Sequence, residues 1–342
     1  MASNATRGVI LMNLGSPDST SVPDVRRYLV EFLMDERVID KPYLLRALLV
    51  KGIISPFRAP KSAEAYHSIW TAEGSPLIAI TRHLRDALAA SITDPVEISM
   101  RYGKPSMKEA YDKLLAANPD LKEVVLLPLY PHYAMSSYET AAVHAREVYN
   151  VGKYPFNIRV IEPFYNDPLY IAALAESIRP NLKPGSHLVF SYHSVPEQHI
   201  YKGDITGNHC LKTPGCCTTP SKSHQFCYRH QCLETTRLVV ASLGIREGDY
   251  SVSFQSKLGR AEWLKPSTTE TMKSLPAKGI KEVSVVCPAF VSDCLETLEE
   301  VSMQEKNNFI TAGGESYTFI PCMNVQPQWV AAISTWLTTN KN

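Results

Sequence analysis

The chain has 342 residues, which is long enough for two domains of about 100–200 residues each. Apolar residues make up 44% of it and charged residues 20%, a composition typical of globular and not of disordered proteins. Lys and Arg number 35 and Asp and Glu 34, so the net charge of +1 gives no general case for a nucleic-acid partner. No run of about 20 apolar residues predicts a membrane-spanning helix, and the first residues do not resemble a secretion signal. We therefore expect a cytoplasmic protein that binds no nucleic acid and whose eight cysteines form no disulfides.

Short apolar runs rich in β-forming residues alternate with longer amphipathic stretches along the chain. In chain order, the apolar runs predict strands at Val9–Leu14, Val96–Arg101, Glu123–Tyr130, Ile158–Glu162, Leu188–His193, Ser251–Gln255, Glu282–Cys287 and Tyr317–Pro321. The amphipathic stretches predict helices at Asp24–Met34, Thr81–Ala90, Met107–Ala117, Glu139–Tyr149, Leu169–Ile178, Leu233–Leu243, Cys294–Lys306 and Gln328–Leu337. This alternation predicts an α/β fold, in which helices cover both faces of parallel sheets.

The two halves of the sequence are similar to each other. Residues 122–128 (KEVVLLP) match residues 281–287 (KEVSVVC), and two further pairs of segments, which precede these in each half, match in the same order. The alternatives are chance similarity between α/β strands and two copies of one four-stranded unit, and we adopt the second interpretation. It predicts halves at residues 1–160 and 161–342, with the last helix (about 326–338) packing back on the first half. Ligands are expected in a cleft at the C-terminal ends of the strands.

Several common kinds of α/β chemistry have no motif in this sequence. It contains neither the Gly-x-Gly-x-x-Gly of dinucleotide sites, nor a P-loop, nor the Gly-x-Ser-x-Gly of a nucleophile elbow. Polar residues at predicted strand ends are therefore the candidates for function. His193 ends a strand, where α/β proteins present reactive groups, and imidazole binds metals and titrates near neutrality. The alternative is a histidine that only caps the following turn.

An acidic stripe is predicted on the helix that begins near Cys294. Asp293, Glu296 and Glu300 are spaced i, i+3 and i+7, which places their carboxylates on one face of an α-helix. Stacked like charges are mildly unfavourable, but they are understandable if a cation passes along them. The alternative is a well-capped surface helix, since acidic residues suit the first turn of a helix.

Aromatic residues beside turns at predicted strand ends could line a flat, apolar ligand slot, among them Tyr102, Tyr130 and Trp263. Arg101, at the end of another predicted strand, could meet carboxylates on such a ligand. Most aromatic residues in proteins belong to the core, so this interpretation depends on the surrounding residues.

The segments that carry these residues resemble the ferrochelatase family, whose members insert ferrous iron into a porphyrin. They span nearly the whole chain in order: GVILMNLGSP (8–17), YLVEFLMD (28–35), AEGSPL (72–77), RYGKP (101–105), LYPHYA (129–134), FSYHSVP (190–196), FQSKLGRAEWLKP (254–266) and PAFVSDCLETLEE (288–300). The resemblance implies two similar Rossmann-like domains, each with a four-stranded parallel sheet, and an active-site cleft between them.

The resemblance also implies roles for individual residues. The family's essential histidine falls on His193 and its conserved acid on Glu296, with Asp293 and Glu300 behind it, and the substrate Fe2+ would meet His193 and Glu296. Porphyrin contacts are implied at Leu14, Ser75, Arg101, Tyr102, Tyr130 and Trp263. The expected reaction inserts Fe2+ into protoporphyrin IX, releases two protons and forms haem. The alternatives are coproporphyrin III as substrate, a cobalt chelatase of the same fold and, more remotely, a non-catalytic porphyrin or haem carrier. His193 could accept a proton or hold the metal.

Five of the eight cysteines lie between positions 210 and 232, in an insert at about 201–232. This density favours a metal site. Zinc and unligated thiols are alternatives, although the Cys-x-x-Cys pairs typical of structural zinc sites are absent. Because some ferrochelatases carry a [2Fe–2S] cluster, the resemblance makes that cluster the leading expectation. Its expected ligands are Cys210, Cys217, Cys227 and Cys232, with Cys216 as a substitute because neighbouring side chains usually diverge.

Two apolar triplets lie close together early in the chain, Tyr43-Leu44-Leu45 and Leu48-Leu49-Val50. They could form an apolar lip. We therefore expect peripheral contact with the inner surface of a membrane, whereas the sequence indicates no oligomeric state.

Overall fold

The computed structural model describes residues 5–257, 259 and 261–339. Leu258 and Arg260, within one of the family segments, lie outside the described residues. Contacts divide the chain into two units. Unit 1 comprises the chain up to Leu129, Met135–Glu162 and the residues from Ile333 on, and unit 2 comprises Tyr130–Ala134 and Pro163–Ala332.

The sheet of unit 1 contains four parallel strands: β1 (Arg7–Gly15), β2 (Val96–Tyr102), β3 (Glu123–Pro128) and β4 (Asn157–Val160). Their order in the sheet is β2-β1-β3-β4, and Val9 of β1 pairs with Val96 and Val125. The central strands β1 and β3 are buried along almost their whole length. Their nearly unbroken apolar sequences are typical of strands that are covered on both faces.

The sheet of unit 2 repeats this arrangement with β5 (His187–His193), β6 (Tyr250–Gln255), β7 (Glu282–Val286) and β8 (Ser316–Phe319). Its strands are also parallel. Their order is β6-β5-β7-β8, which matches β2-β1-β3-β4 when the strands of each sheet are counted in chain order. All eight strands begin and end within two residues of the predicted positions. The predicted α/β class with two similar four-stranded sheets is therefore confirmed.

The α-helices between the strands are α1 (Val22–Leu33), α2 (Tyr43–Ala47), α3 (Ser55–Ile69), α4 (Pro76–Ala89), α5 (Met107–Ala117), α6 (Thr140–Gly152), α7 (Pro168–Ile178), α8 (Glu197–Gly203), α9 (Tyr228–Leu243), α10 (Thr268–Ser274), α11 (Lys306–Thr311) and α12 (Pro327–Thr338). Among the described residues, three segments are π-helical: Leu48–Ile54, Met135–Glu139 and Glu296–Glu305. The helices α2, α3, α8 and α10 have no predicted counterpart. In α3 the reason is composition, because Pro60 lies inside the helix and proline normally predicts its end. Among the described residues, no helix combines the length and the apolar character needed to cross a bilayer.

The π-helix Glu296–Glu305 is held against the sheet of unit 2 by its apolar side. Val301 of this helix is fully buried in one cluster with Val189 of β5, Val285 of β7 and Phe309 of α11. Burial of such side chains contributes roughly 1.5–3 kcal/mol each. The core therefore fixes the helix that carries the acidic residues.

Candidate active site

His193 is the last residue of β5, and it is partly exposed whereas the residues before it in the strand are buried. Its Nδ1 lies 2.6 Å from the carbonyl oxygen of Ser194. Because a carbonyl only accepts hydrogen bonds, Nδ1 carries a proton, and Nε2 is the basic nitrogen of the neutral ring. Phe290 packs edge-on against the imidazole, with ring centroids 6.2 Å apart. The histidine thus stands at a strand tip with a defined tautomer.

The chain that follows His193 is held by the neighbouring strand and loop. The Ser194 N–H donates to the Gln255 carbonyl at 2.7 Å, and Pro196 forms an antiparallel bridge with Trp263. Trp263, a predicted porphyrin contact, therefore lies in the segment that runs beside the residues after His193. Unit 2 brings these two predicted site residues into one neighbourhood.

The helix that was expected to be α-helical over Cys294–Lys306 is instead a π-helix over Glu296–Glu305. With i→i+5 hydrogen bonds and ~4.4 residues per turn, residues i, i+4 and i+9 lie on one face. That face carries Glu296, Glu300 and Glu305, so the stripe differs from the predicted one. π-Helical segments are rare in proteins, and those that occur are often found at functional sites.

Glu300 is the central carboxylate of this stripe. Both the N–H and the hydroxyl of Ser256 donate to it, the N–H at 2.8 Å. Ser256 has a φ of +64°, in the left-handed region that a serine rarely adopts. Burial, together with the nearby carboxylates of Glu296 and Glu305, raises the pKa of Glu300 to about 7 although the Ser256 hydrogen bonds oppose the shift. This group can therefore change its protonation near neutral pH.

Asp293 lies before the π-helix and makes internal contacts. Its buried carboxylate accepts hydrogen bonds from Thr297 Oγ1 at 2.9 Å and Asn324 Nδ2 at 2.7 Å, and from the Cys322 N–H at 3.3 Å. The first contact ties Asp293 to the first turn of the helix. Asp293 thus fixes where the helix that carries Glu296 begins.

Two buried residues of this region were not predicted as site residues, although Gln255 ends a predicted strand and lies in one of the family segments. Gln255 accepts from Ser191 Oγ at 2.6 Å and donates from Nε2 to the Glu296 carbonyl at 3.1 Å, so it connects β6 to the π-helix. Glu305 is buried and accepts from Thr269 Oγ1 at 2.5 Å. Glu305 would enter a predicted stripe only if the π-helical spacing were known beforehand.

The predicted porphyrin contacts fall into both units, with Leu14, Ser75, Arg101 and Tyr102 in unit 1 and Tyr130 and Trp263 in unit 2. Arg101 Nη2 lies 2.5 Å from the buried Asp35 carboxylate, and Arg101 Nε donates to Thr140 Oγ1 at 2.8 Å. Tyr102 donates to the same carboxylate at 3.0 Å. Burial raises the pKa of Asp35, but the hydrogen bonds and the Arg101 charge outweigh it and lower that pKa. Arg101 is therefore already paired with an internal carboxylate.

The five cysteines of the insert are all buried. The Sγ atoms of Cys216 and Cys217 lie 4.0 Å apart, so these neighbouring side chains do not diverge as expected. The Cys227 thiol lies close enough to those of Cys210 and Cys217 to shift the pKa of each. Together these contacts connect four thiols: Cys210, Cys216, Cys217 and Cys227. The Cys232 thiol, whose pKa is raised by burial, is influenced by the Tyr228 hydroxyl, which lowers that pKa, and by the Cys217 thiol, which raises it.

The surroundings of these thiols are polar and ordered. Arg229 Nη1 lies 3.5 Å from Cys217 Sγ. The hydrogen bond with Cys227 and burial raise the pKa of the Cys217 thiol, and the Arg229 charge acts in the opposite direction. The Nε2 atoms of His209 and His224 form hydrogen bonds to the Cys216 carbonyl, at 2.7 and 2.8 Å. Within residues 5–257, 259 and 261–339, no three His, Cys, Asp or Glu side chains are already arranged around a metal position.

Comparisons of the sequence with a family model and with curated proteins all lead to the same family. The sequence model of the family described as ferrochelatase matches residues 6–341. A ferrochelatase of Opitutus terrae is 47% identical over 339 residues, covering 97% of this chain and 98% of the relative. A ferrochelatase of Pseudomonas fluorescens is 47% identical over 330 residues and covers 96% of both chains. One of Azotobacter vinelandii is 46% identical over 329 residues, covering 95% of this chain and 96% of the relative.

Solved structures share the fold. SirB from Bacillus subtilis with Fe3+ superposes with a TM-score of 0.55 at 12% identity, covering 98% of this chain and 95% of that chain. The sirohydrochlorin chelatase SirB from B. subtilis subspecies spizizenii in complex with cobalt gives a TM-score of 0.53 at 10% identity, with coverage of 98% and 97%. At such low identity the likeness concerns the fold alone.

Proposed function

The chain belongs to the ferrochelatase family, and from this premise we propose that it inserts Fe2+ into protoporphyrin IX to form haem. The observation that carries the proposal is the match to ferrochelatases over nearly the whole chain. His193 at a strand tip and the carboxylates of the neighbouring π-helix supply the chemistry that the reaction needs. It is a lyase-type reaction in which two pyrrole protons leave as the metal enters.

The chemistry is divided among three residues of unit 2. The Nδ1–H of His193 is engaged by Ser194, so its Nε2 is the atom that accepts a pyrrole proton or binds the entering iron. Glu296 provides a carboxylate ligand for Fe2+ on the first turn of the π-helix. Glu300, with a pKa of about 7, relays protons away from that position. Asp293 acts by holding the start of the helix.

The porphyrin contacts at Leu14, Ser75, Arg101, Tyr102, Tyr130 and Trp263 remain part of the proposal. Arg101 contributes by fixing Asp35, and through Asp35 the phenol of Tyr102. A direct ion pair between Arg101 and a porphyrin carboxylate would have to compete with Asp35. A buried charge that loses its partner is strongly destabilising, so we favour the indirect role for Arg101.

Metal insertion by the purified protein tests the proposal. Zn2+ incorporated into protoporphyrin IX is followed by fluorescence, and Fe2+ incorporation without oxygen is followed by absorbance. The same assays with coproporphyrin III and with Co2+ test the alternative substrates. Tight porphyrin binding without insertion of any metal would contradict the proposal and favour a non-catalytic carrier.

The cysteine-rich insert is proposed to hold a [2Fe–2S] cluster. Supporting this are four buried thiols linked in successive pairs and the adjacent Arg229, whose charge favours thiolates. Thiolates are the usual ligands of such clusters. The contacts favour Cys210, Cys216, Cys217 and Cys227 as ligands, with Cys232 as the alternative to Cys216. When bound, the cluster would supply folding free energy to the insert.

Cytoplasmic location with peripheral membrane contact completes the proposal. All eight cysteines are free thiols, as a reducing compartment requires. Leu44 and Phe57 are 81% and 80% exposed, and the basic residues Lys51, Arg58 and Lys61 lie exposed nearby in the chain. Apolar residues combined with positive charge suit the surface of an anionic bilayer.

A further inference from the structure

The cysteine-rich insert is connected to the main chain at His193 by one hydrogen bond. Tyr228 begins α9 directly after Cys227, and its hydroxyl donates to the His193 carbonyl at 2.8 Å. We propose that Tyr228 is a positioning residue, through which the order of the insert governs the placement of the His193 imidazole. This inference rests on the proposed function of His193.

The hydrogen bond acts on the peptide that orients the imidazole. Tyr228 holds the carbonyl of the His193–Ser194 peptide, and the N–H of the same peptide donates to the Gln255 carbonyl at 2.7 Å. His193 Nδ1 in turn donates to the next carbonyl, that of Ser194. Tyr228 and Gln255 therefore hold both sides of the peptide that joins His193 to Ser194, the residue whose own carbonyl accepts from the imidazole. A small displacement of a catalytic group can reduce turnover by about 100-fold.

Tyr228 cannot move without disturbing its neighbours. Its side chain is 5% exposed, and the ring of His132 packs edge-on against it with centroids 5.8 Å apart. Its hydroxyl is also near enough to the Cys232 thiol to lower the pKa of that thiol against the effect of burial. The preceding residue, Cys227, belongs to the connected thiols. Displacement of Cys227 would therefore be transmitted directly to the Tyr228 phenol.

A second connection joins the insert to the helix that follows His193. A Cβ on Gly203, the last residue of α8, would lie 2.8 Å from the Phe226 carbonyl, so the two segments pack backbone to backbone. The next residue, Asp204, is buried and accepts hydrogen bonds from the Cys210 N–H at 2.9 Å and from Ser223 Oγ at 2.6 Å. Asp204 thus ties the end of α8, a helix that begins four residues after His193, to the cysteine-containing part of the insert, while Tyr228 bonds to His193 directly.

The first test is Tyr228→Phe, which keeps the ring and removes only the hydroxyl. We expect kcat for Zn2+ insertion to fall about tenfold, which corresponds to ~1.4 kcal/mol and is the size of one lost hydrogen bond, with KM for the porphyrin unchanged. The matched control is Tyr111→Phe, because Tyr111 is also buried and also donates to a backbone carbonyl, that of Ala145 at 3.2 Å in unit 1. Its kcat should equal that of the wild type. An unchanged kcat in Tyr228→Phe would overturn the proposal.

The imidazole itself gives a readout that does not depend on activity. In protein labelled with 15N-histidine, the Nδ1–H resonance of His193 is identified by its loss in His193→Ala. This resonance should shift or broaden in Tyr228→Phe and stay in place in Tyr111→Phe. If the wild type shows no metal insertion, the proposed function fails, yet this spectrum still decides whether Tyr228 positions the imidazole.

Coupling to the insert is tested by a double-mutant cycle. Cys227→Ser and Asp204→Asn each disturb the insert, and the second is available if the first does not fold. If the insert acts through Tyr228, combining either change with Tyr228→Phe should reduce kcat by less than the product of the separate effects. Fully multiplicative effects, with an unshifted His193 resonance in the insert variants, would overturn the coupling.

Discussion

At the scale of single residues, His193 has the most sharply defined chemistry, since Nδ1 is committed to the Ser194 carbonyl. We predict that His193→Ala lowers the rate of metal insertion by 10²–10⁴-fold, the usual contribution of a positioned acid–base group. Porphyrin binding, followed by quenching of tryptophan fluorescence, should change little because the side chain lies at a strand tip outside the core. Retention of more than about a tenth of the wild-type rate would remove His193 from the mechanism.

Glu300 predicts a dependence of stability on pH. Its pKa is about 7 in the folded protein, against 4.5 for an unperturbed glutamate such as that of the unfolded chain. Between these values the folded state keeps a proton that the unfolded state has released, so the free energy of unfolding falls as pH rises. Glu300→Gln has no titrating carboxyl at this position, so its free energy of unfolding should not fall with rising pH on this account. The variant should gain stability relative to the wild type across this interval, by at most about 3 kcal/mol, and by a constant amount above it. Urea unfolding curves measured across the interval check this, and a pH-independent difference would contradict it.

The sequence indicated His193 and Glu296 because strand ends and family motifs are local features. It placed Asp293 in the acidic stripe, whereas that carboxylate bonds to Thr297 and Asn324. Asp293 lies before the first turn of the helix, where helical spacing does not apply, and the π-helical winding of Glu296–Glu305 brings Glu305 to the face of Glu296 and Glu300. Residue spacing reports the face of a helix only if the number of residues per turn is known, and no local pattern distinguishes a π-helix from an α-helix. For the same reason Glu305 was missed.

At the scale of elements, the strands were predictable because buried parallel strands have almost unbroken apolar sequences, as in β3. The helices α2 and α3 were not, since their exposed leucines and internal proline do not form an amphipathic pattern. The insert had a composition that indicated a metal site but no pattern that indicated which thiols meet. Only the folded chain brings the Cys216 thiol beside that of Cys217.

The insert leads to a prediction about cluster ligands. Protein purified without oxygen should be red-brown, with about two irons and two acid-labile sulfides per chain. Cys216→Ser should bleach the colour and lower the melting temperature, because metal binding and folding of the insert are coupled. Cys232→Ser should keep the colour, as should the control Cys322→Ser, a buried thiol outside the insert. Bleaching by Cys232→Ser but not by Cys216→Ser would reverse the assignment, and a colourless protein with one zinc would exclude the cluster.

At the scale of the whole molecule, the net charge is close to zero at +1, but the charged residues are unevenly distributed over the surface. The segment from α2 to α3 exposes Leu44 and Phe57 at 81% and 80%. Lys51, Arg58 and Lys61 are exposed in the same segment. A protein whose substrate is a sparingly soluble macrocycle would gain by holding this surface against a bilayer. Burial of a large apolar side chain contributes about 1.5–3 kcal/mol, and each basic residue near an anionic surface about 1 kcal/mol.

These contributions predict measurable binding to vesicles. The wild-type protein should sediment with vesicles that contain phosphatidylglycerol, more weakly with pure phosphatidylcholine, and less as salt is raised because the charges are screened. The double variant Leu44→Glu, Phe57→Glu should bind at least tenfold more weakly, since it loses two apolar side chains and gains two repelled charges. Val151→Glu is the matched control, because Val151 is 84% exposed on α6 of the same unit and lies outside the basic segment. Its binding should equal that of the wild type. Equal loss of binding in Val151→Glu would show that net charge alone governs the contact, and undiminished binding of the double variant would exclude the α2–α3 segment as the membrane surface.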